Sequence, residues 1–290
     1  MKPEIDPVSG RETTGHEWNG IKELNSPMPK AFNIWLWASI AVSVLMWVLY
    51  PSFPTVHSFL GGSLGYSSRS AVNEAVADGL RTRAEAFSVF EHEDIAELAA
   101  DQTLRPQFED QIGVLFRDNC AACHGRDAAG QKGFPNLSDN HWLWSGTPAD
   151  IEYTLQVGIN SSNEDTRYAE MPAFGREEML EKTEISDVID FVLSLTEAAH
   201  DTGAAQRGQV VFADNCASCH GEDAAGGLEN GAPNLTDDTW IYGGTRSDLE
   251  KTLKQGRAGV MPAWAGRLSD AEIRQLTLYV LWQGQPDGDS

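Results

Sequence analysis

Two Cys-x-x-Cys-His pentapeptides, each followed by a Met-Pro pair, constrain this 290-residue chain more than any other feature. The first is Cys120-Ala121-Ala122-Cys123-His124, with Met171-Pro172 downstream. The second is Cys216-Ala217-Ser218-Cys219-His220, with Met261-Pro262 downstream. The chain has four cysteines, and the pentapeptides use all of them. The spacing is that of c-type haem attachment. Two thiols bond to the vinyl groups, and the adjoining imidazole binds the iron from one side. A thioether on the far side completes a His/Met pair, which raises the reduction potential and suits electron transfer. Cys120, Cys123, Cys216 and Cys219 are therefore expected to carry two haem c groups. His124, His220, Met171 and Met261 are the expected axial iron ligands.

Other uses of the cysteines fit less well. Zinc sites usually place about 15–20 residues between two Cys-x-x-Cys pairs, whereas 92 residues separate Cys123 from Cys216. A redox dithiol needs a βαβ setting, and none is apparent. Disulfides would not explain a histidine directly after each pair.

The charge is strongly acidic, −22 in total, and unevenly placed. Residues 1–30 hold 4 basic and 5 acidic residues, and residues 69–290 hold 17 and 38, a balance of −21. Such a surface repels nucleic acid and favours cationic protein partners, or serves only solubility. No charged residue occurs from 31 to 68, and 34–50 is almost wholly apolar. Nineteen helical residues reach ~28 Å, close to a ~30 Å hydrocarbon core. Trp35, Trp37, Trp47 and Tyr50 lie towards the ends, as an aromatic belt would, and Pro51 and Pro54 follow. A cleaved signal peptide would have a shorter apolar stretch and a small-residue cleavage site. An uncleaved anchor over 31–50 is the better reading. Four Lys/Arg precede it and none follows until Arg69, so the N-terminus is expected in the cytoplasm and the remainder exported.

Residues 51–68 read as a linker, and 70–102 as one or two amphipathic helices with no role beyond a spacer. The rest is an internal duplication. Pro135-Asn136-Leu137 matches Pro233-Asn234-Leu235. Trp142, Gly146, Thr147, Asp150, Thr154 and Gly158 match Trp240, Gly244, Thr245, Asp248, Thr252 and Gly256, each 98 positions later. The first copy carries a longer loop, 159–170, before its methionine. Each copy reads as helices: 106–118 and 204–214 before the first cysteine, a middle helix capped by Thr147 or Thr245, and a last helix over about 184–196 or 270–283. Ser269 and Glu272 make a capping box. Phe191 and Tyr279 are equivalent aromatics. Strand signals are weak throughout. Met179 and His141 have no partner in the other copy; the first reads as core, the second as surface or pocket edge. Trp142, Trp144, Trp240 and Tyr242 read as packing around haem. Spacing does not say which methionine reaches which iron; ligation within a copy is the default, and exchange between packed copies is the alternative.

From 106 to about 284 the pattern resembles a tandem of class I cytochrome c domains. The resemblance implies a mainly α chain with one N-terminal transmembrane helix and two such domains, here 106–199 and 203–286, after a cytoplasmic segment (1–30), the span (31–50) and a linker with helices (51–105). It implies that first and last helices cross, and that Pro135 and Pro233 accept the ring N–H of the proximal histidines. The family's small residue in the first helix appears as Gly208, four before Phe212. The first copy has Ile112 and Phe116, so its crossing is expected to differ.

The stretch 16–29 (HEWNGIKELNSPMP) has no obvious job in a bare electron carrier. It resembles the segment ahead of the membrane helix in the dihaem subunit, subunit III, of cbb3-type cytochrome c oxidases; some relatives have two spans and this chain one. The resemblance implies a subunit of a terminal oxidase in a bacterial inner membrane. Electrons from a soluble or membrane-bound cytochrome c would pass through two haem c groups to a monohaem cytochrome c subunit and the oxygen-reducing catalytic subunit. This chain would transfer electrons and do no oxygen chemistry, because its span holds no histidine. The rivals are a stand-alone anchored dihaem carrier and a haem-based gas sensor, which would need a displaceable ligand.

Overall fold

The computed structural model describes residues 3–196 and 198–284. Positions 285–286, the end of the expected second domain, lie outside the described residues. The chain forms two units, Met1–Glu85 and Ala86–Ser290.

The first unit opens with a hairpin that the weak strand signals did not predict: β1 (Thr13–Trp18) pairs antiparallel with β2 (Ile21–Leu24). Asn19 and Gly20 make the two-residue turn, both with positive φ (49° and 86°), as such turns require. Next comes α1 (Lys30–Leu49), long and apolar enough to cross a membrane, with mean hydropathy 1.9. Its two serines return their hydroxyls to the helix, Ser39 to Leu36 O and Ser43 to Ser39 O, both at 2.8 Å. Both hydroxyls are thereby satisfied within the helix, as an apolar medium demands. At its end Ser63 N and Leu64 N donate to the carbonyls of Val48 and Leu49. Helix α2 (Ser68–Phe87) follows, exposing Val72, Val76 and Leu80.

The second unit is helical: α3 (Val89–His92), α4 (Ile95–Ala100), α5 (Leu104–Asn119), α6 (Ala121–His124), α7 (Pro148–Val157), α8 (Lys182–Leu195), α9 (Thr202–Asn215), α10 (Ala217–His220), α11 (Arg246–Gln255) and α12 (Asp270–Gln283). The expected caps form. Thr147 accepts from Asp150 N, Thr245 from Asp248 N, and Ser269 and Glu272 close their capping box. The region read as a spacer is not one throughout. Phe90, Ile95 and Leu98 of α3 and α4 are core residues, and the Phe87, Phe90 and Phe108 rings form one aromatic cluster.

The packing halves do not coincide with the two sequence copies. The last helix of the second copy, α12, packs on α5 and α7 of the first copy. The last helix of the first copy, α8, packs on α9 and α11 of the second. Equivalent aromatics repeat the exchange: Tyr279 lies 4.9 Å from Phe116, and Phe191 lies 5.1 Å from Phe212, centroid to centroid. Two hydrophobic cores result, one holding Cys120 and the other Cys216. We call them the His124 half (α3–α7 with α12) and the His220 half (α8–α11).

Candidate haem sites

Each pentapeptide forms one tight turn at the end of a first helix. His124 N and Cys123 N both donate to Cys120 O (3.0 and 3.1 Å), and His220 N and Cys219 N donate to Cys216 O (2.9 and 3.1 Å). Two thiols and an imidazole are thus presented from a single turn. No disulfide joins any of the four cysteines. Burial pushes the Cys120 thiol up to about 12 and the Cys216 thiol up to about 11. Both shifts come first from burial and then from the neighbouring cysteine of the same pentapeptide.

The expected orienting bonds are present. His124 Nδ1 lies 3.1 Å from Pro135 O, and His220 Nδ1 lies 3.0 Å from Pro233 O. A carbonyl can only accept, so Nδ1 carries the proton and Nε2 keeps its lone pair for a metal. Such a bond fixes the ring and raises its basicity as a ligand. Burial holds both imidazoles below their ordinary proton affinity, against the opposing pull of the proline carbonyls. A neutral ring is the form that ligates.

Each methionine packs beside the other copy's pentapeptide. Met261 packs into the core that holds Cys120 and Ala121, and Met171 into the core that holds Cys216 and Ala217. Backbone bonds fix this. Ile159 and Met261 exchange N–H···O bonds of 2.9 Å, and Met171 and Arg257 exchange bonds of 2.8 and 2.9 Å. Past each methionine the chain continues along the other copy's middle helix: Trp264 N donates to Leu155 O, and Gly175 N to Leu253 O. The matched pair Gly158 and Gly256 makes the approach possible. Both have φ near +70°. A Cβ would stand 2.4 Å from Met261 O at Gly158 and 2.6 Å from Met171 O at Gly256.

Two arginines escaped the sequence reading. Arg167 and Arg257 each lie four before a methionine, a match visible only when the copies are aligned on Met. The Arg167 guanidinium stacks over Trp144 (4.7 Å) and Tyr153 (5.1 Å) and pairs with Asp150 at 2.8 Å. Arg257 stacks over Tyr242 at 4.3 Å. Trp144 and Tyr242 therefore seat arginines as well as packing. Arg167 Nε is buried without a hydrogen-bond partner among the described residues. A cation with a spare donor suits the carboxylates of a haem, so the residues present fit the group.

The two halves meet around a cleft of about 320 Å³ lined by Pro135, Asn136, His141, Pro233, Asn234 and Asp237. His141 stands at its edge, as expected, 3.8 Å from Asp237 and 3.9 Å from Asp139. Met179 is not core but about half exposed. Asp127, Glu222 and Asp223, close after the two motifs, are all exposed.

Comparison with known proteins matches the chain in three segments. The family model for the N-terminal domain of cytochrome oxidase-cbb3, FixP, matches 10–57. The cytochrome c model matches 113–196, and the model for cytochrome c oxidase, cbb3-type, subunit III matches 203–280. The cbb3-type cytochrome c oxidase subunit CcoP of Azospirillum brasilense is 43% identical over 284 residues, 96% of either chain. The subunit FixP of Azorhizobium caulinodans is 44% identical over 280 residues, 95% of this chain and 94% of that one. The subunit CcoP of Cereibacter sphaeroides is 39% identical over 284 residues, 97% of each.

Proposed function

The chain belongs to the CcoP/FixP family of cbb3-type cytochrome c oxidase subunits and is an electron-transfer subunit of that oxidase; from this premise we propose that it carries two haem c groups with exchanged sulfur ligands. One would be held by Cys120, Cys123, His124 and Met261. The other would be held by Cys216, Cys219, His220 and Met171. The observation that carries this reading is the placement of each methionine in the core of the other copy's pentapeptide. The haem supplies an iron that cycles between ferric and ferrous states. The protein does the rest. Pro135 and Pro233 hold the proximal rings, and apolar cores exclude water. One thioether at each site, from Met261 or Met171, would close that iron and favour a high potential. Electrons from a donor cytochrome c cross this chain to a monohaem subunit and then to the catalytic subunit, where oxygen is reduced; this chain only transfers them.

The charge pattern supports the topology. With Lys2, Arg11, Lys22 and Lys30 ahead of the span and no cation until Arg69, the N-terminus stays cytoplasmic and the haem unit lies in the periplasm. The hairpin and span, matched by their own family model, serve assembly with the oxidase core. A balance of −21 over 69–290 steers a donor with a basic face. Turnover with a basic cytochrome c should fall with ionic strength, because the screening length drops from ~30 Å at 0.01 M to ~10 Å at 0.1 M; a flat profile would leave the charge to solubility.

The deciding experiment is spectroscopic. A pyridine haemochrome spectrum of the purified chain should show c-type haem at two per chain. Met171→Ala and Met261→Ala should each lower one midpoint potential and open one iron to carbon monoxide. Unchanged potentials in both variants would refute the methionine assignment.

A further inference from the structure

The loop that lengthens the first copy has no counterpart in the second. Met171 lies thirteen positions after Gly158, whereas Met261 lies only five after the equivalent Gly256. At the base of this extra length stands Asn160, at φ +48°, a left-handed conformation that Asn tolerates better than most residues. Its side-chain amide uses both kinds of capacity. Nδ2 donates to Ala169 O (2.7 Å) and to Gly259 O (2.9 Å), and Oδ1 accepts from Ala169 N (3.0 Å). Ala169 and Gly259 each lie two residues before a methionine. One half-buried amide therefore clasps both methionine segments.

The surrounding bonds make Asn160 a fixed post. Its own N–H donates to Arg167 O (2.8 Å), and its neighbour Ile159 is laddered to Met261. Ser161 ties back to Val157 O and to Thr166, anchoring the loop to α7. In the second copy the residue two past Gly256 is Ala258, which is exposed and has no side-chain donor. From that side the backbone pairing of Arg257 with Met171 remains, without an amide clasp at the position of Asn160.

A thioether is a neutral and weak ligand, so its retention on iron depends on how well the chain holds it in place. We propose that Asn160 is a positioning residue shared by both axial methionines, and that the loop insertion couples the two distal ligand segments. This rests on the assignment of Met171 and Met261 as ligands. Each hydrogen bond restrains backbone two residues from a sulfur donor, and a shared post means that loosening one segment loosens the other.

The test uses the haem-loaded full chain and three variants. Asn160→Asp keeps the size, the left-handed tolerance and the acceptor for Ala169 N, but loses both donor bonds. Asn160→Gly keeps the backbone angle and removes all three bonds. Asn163→Ala disturbs the same loop, where Asn163 caps Asp165 N, without touching either methionine segment. The readouts are the near-infrared sulfur-to-iron charge-transfer band, carbon monoxide binding by the reduced chain, and both midpoint potentials, at constant haem content. Both Asn160 variants should lose band intensity at both haems, admit carbon monoxide at both and lower both potentials, while Asn163→Ala leaves them unchanged. A wild-type band that survives in both Asn160 variants, or is lost at one haem only, overturns the shared-post proposal and leaves the methionine assignment standing. A wild-type chain with no such band at either haem overturns both.

Discussion

The two halves close the same helix crossing by opposite means. In the His220 half α9 meets α8 at Gly208, where a Cβ would stand 2.0 Å from Asp187 O. The backbones touch, and Arg207 locks the crossing from outside through two bonds to Asp187, 2.6 and 2.7 Å. Buried Asp190 of α8 adds an accepted bond from Asp201 N and an ion pair with Arg246. In the His124 half Ile112, fully buried, stands where Gly208 stands in the other. Side chains separate α5 from α12, and α3 and α4 are added to cover the wider core. Arg274 of α12 holds that cover by donating to the carbonyls of Phe90 and Glu91. One half depends on an absent side chain and the other on added volume. Removing atoms should therefore damage the first motif's half, and adding atoms the second's.

The largest effect expected from this contrast is at Phe90, which is 0% exposed. Phe90→Ala should cost about 3–5 kcal/mol, the usual range for truncating a buried aromatic. Denaturant unfolding followed at each haem should show the His124 half failing first. Gly208→Ala comes next. Its Cβ meets backbone that has no rotamer to yield, so a cost of about 1–3 kcal/mol or more is expected, in the His220 half. Gly113→Ala is the matching control. Its Cβ would meet the ends of Arg117 and Tyr279 at 3.2 and 3.3 Å, so a far smaller change should follow. If Gly208→Ala proved harmless, the close-crossing account of that half would fail. Thr147→Ala and Thr245→Ala should each cost ~1 kcal/mol, and equally, because the middle helices are capped alike.

The smallest effect is in acid. Asp248 is held below the usual carboxylate range, first by its bond to Lys132 and then by Thr245. Asp150 is held low by Thr147 and then by Arg167. A depressed carboxylate stabilises the fold above its unfolded value and loses that contribution as pH falls through the folded one. Acid weakening is thus expected to begin below about pH 4. Lys132 and Asp248 lie on different copies, 2.6 Å apart. Lys132→Met should therefore relieve the acid sensitivity contributed by Asp248 and leave that of Asp150; an unchanged acid transition would mean the pair is solvated away.

Helices and caps were legible because each depends on residues close in sequence, and the Pro135 and Pro233 bonds were implied by the family resemblance. The exchange was not. Two copies of one motif satisfy the same local rules whether the last helix packs on its own copy or the other. What decides is the path between Arg167 and Met171 and between Arg257 and Met261, and this is set by backbone pairing that leaves no periodic trace. Gly158 and Gly256 were visible as a matched pair, but their purpose appears only when another copy's methionine lies against them. Asn19-Gly20 was the legible signal that went unread, and it marks the one hairpin among the described residues. The α3–α4 cover looked like a spacer because its apolar residues are few, and some of its partners lie nearly two hundred positions away in α12.

The exchange itself can be tested with a single haem in place. In a chain with Cys216→Ser and Cys219→Ser, only the haem on Cys120, Cys123 and His124 is attached, and carbon monoxide binding to its reduced form reports whether the sixth ligand is still there. Adding Met261→Leu should open that iron, and adding Met171→Leu should leave it closed. The reverse, an iron opened by Met171→Leu and closed in Met261→Leu, would contradict the exchange and return each methionine to its own copy.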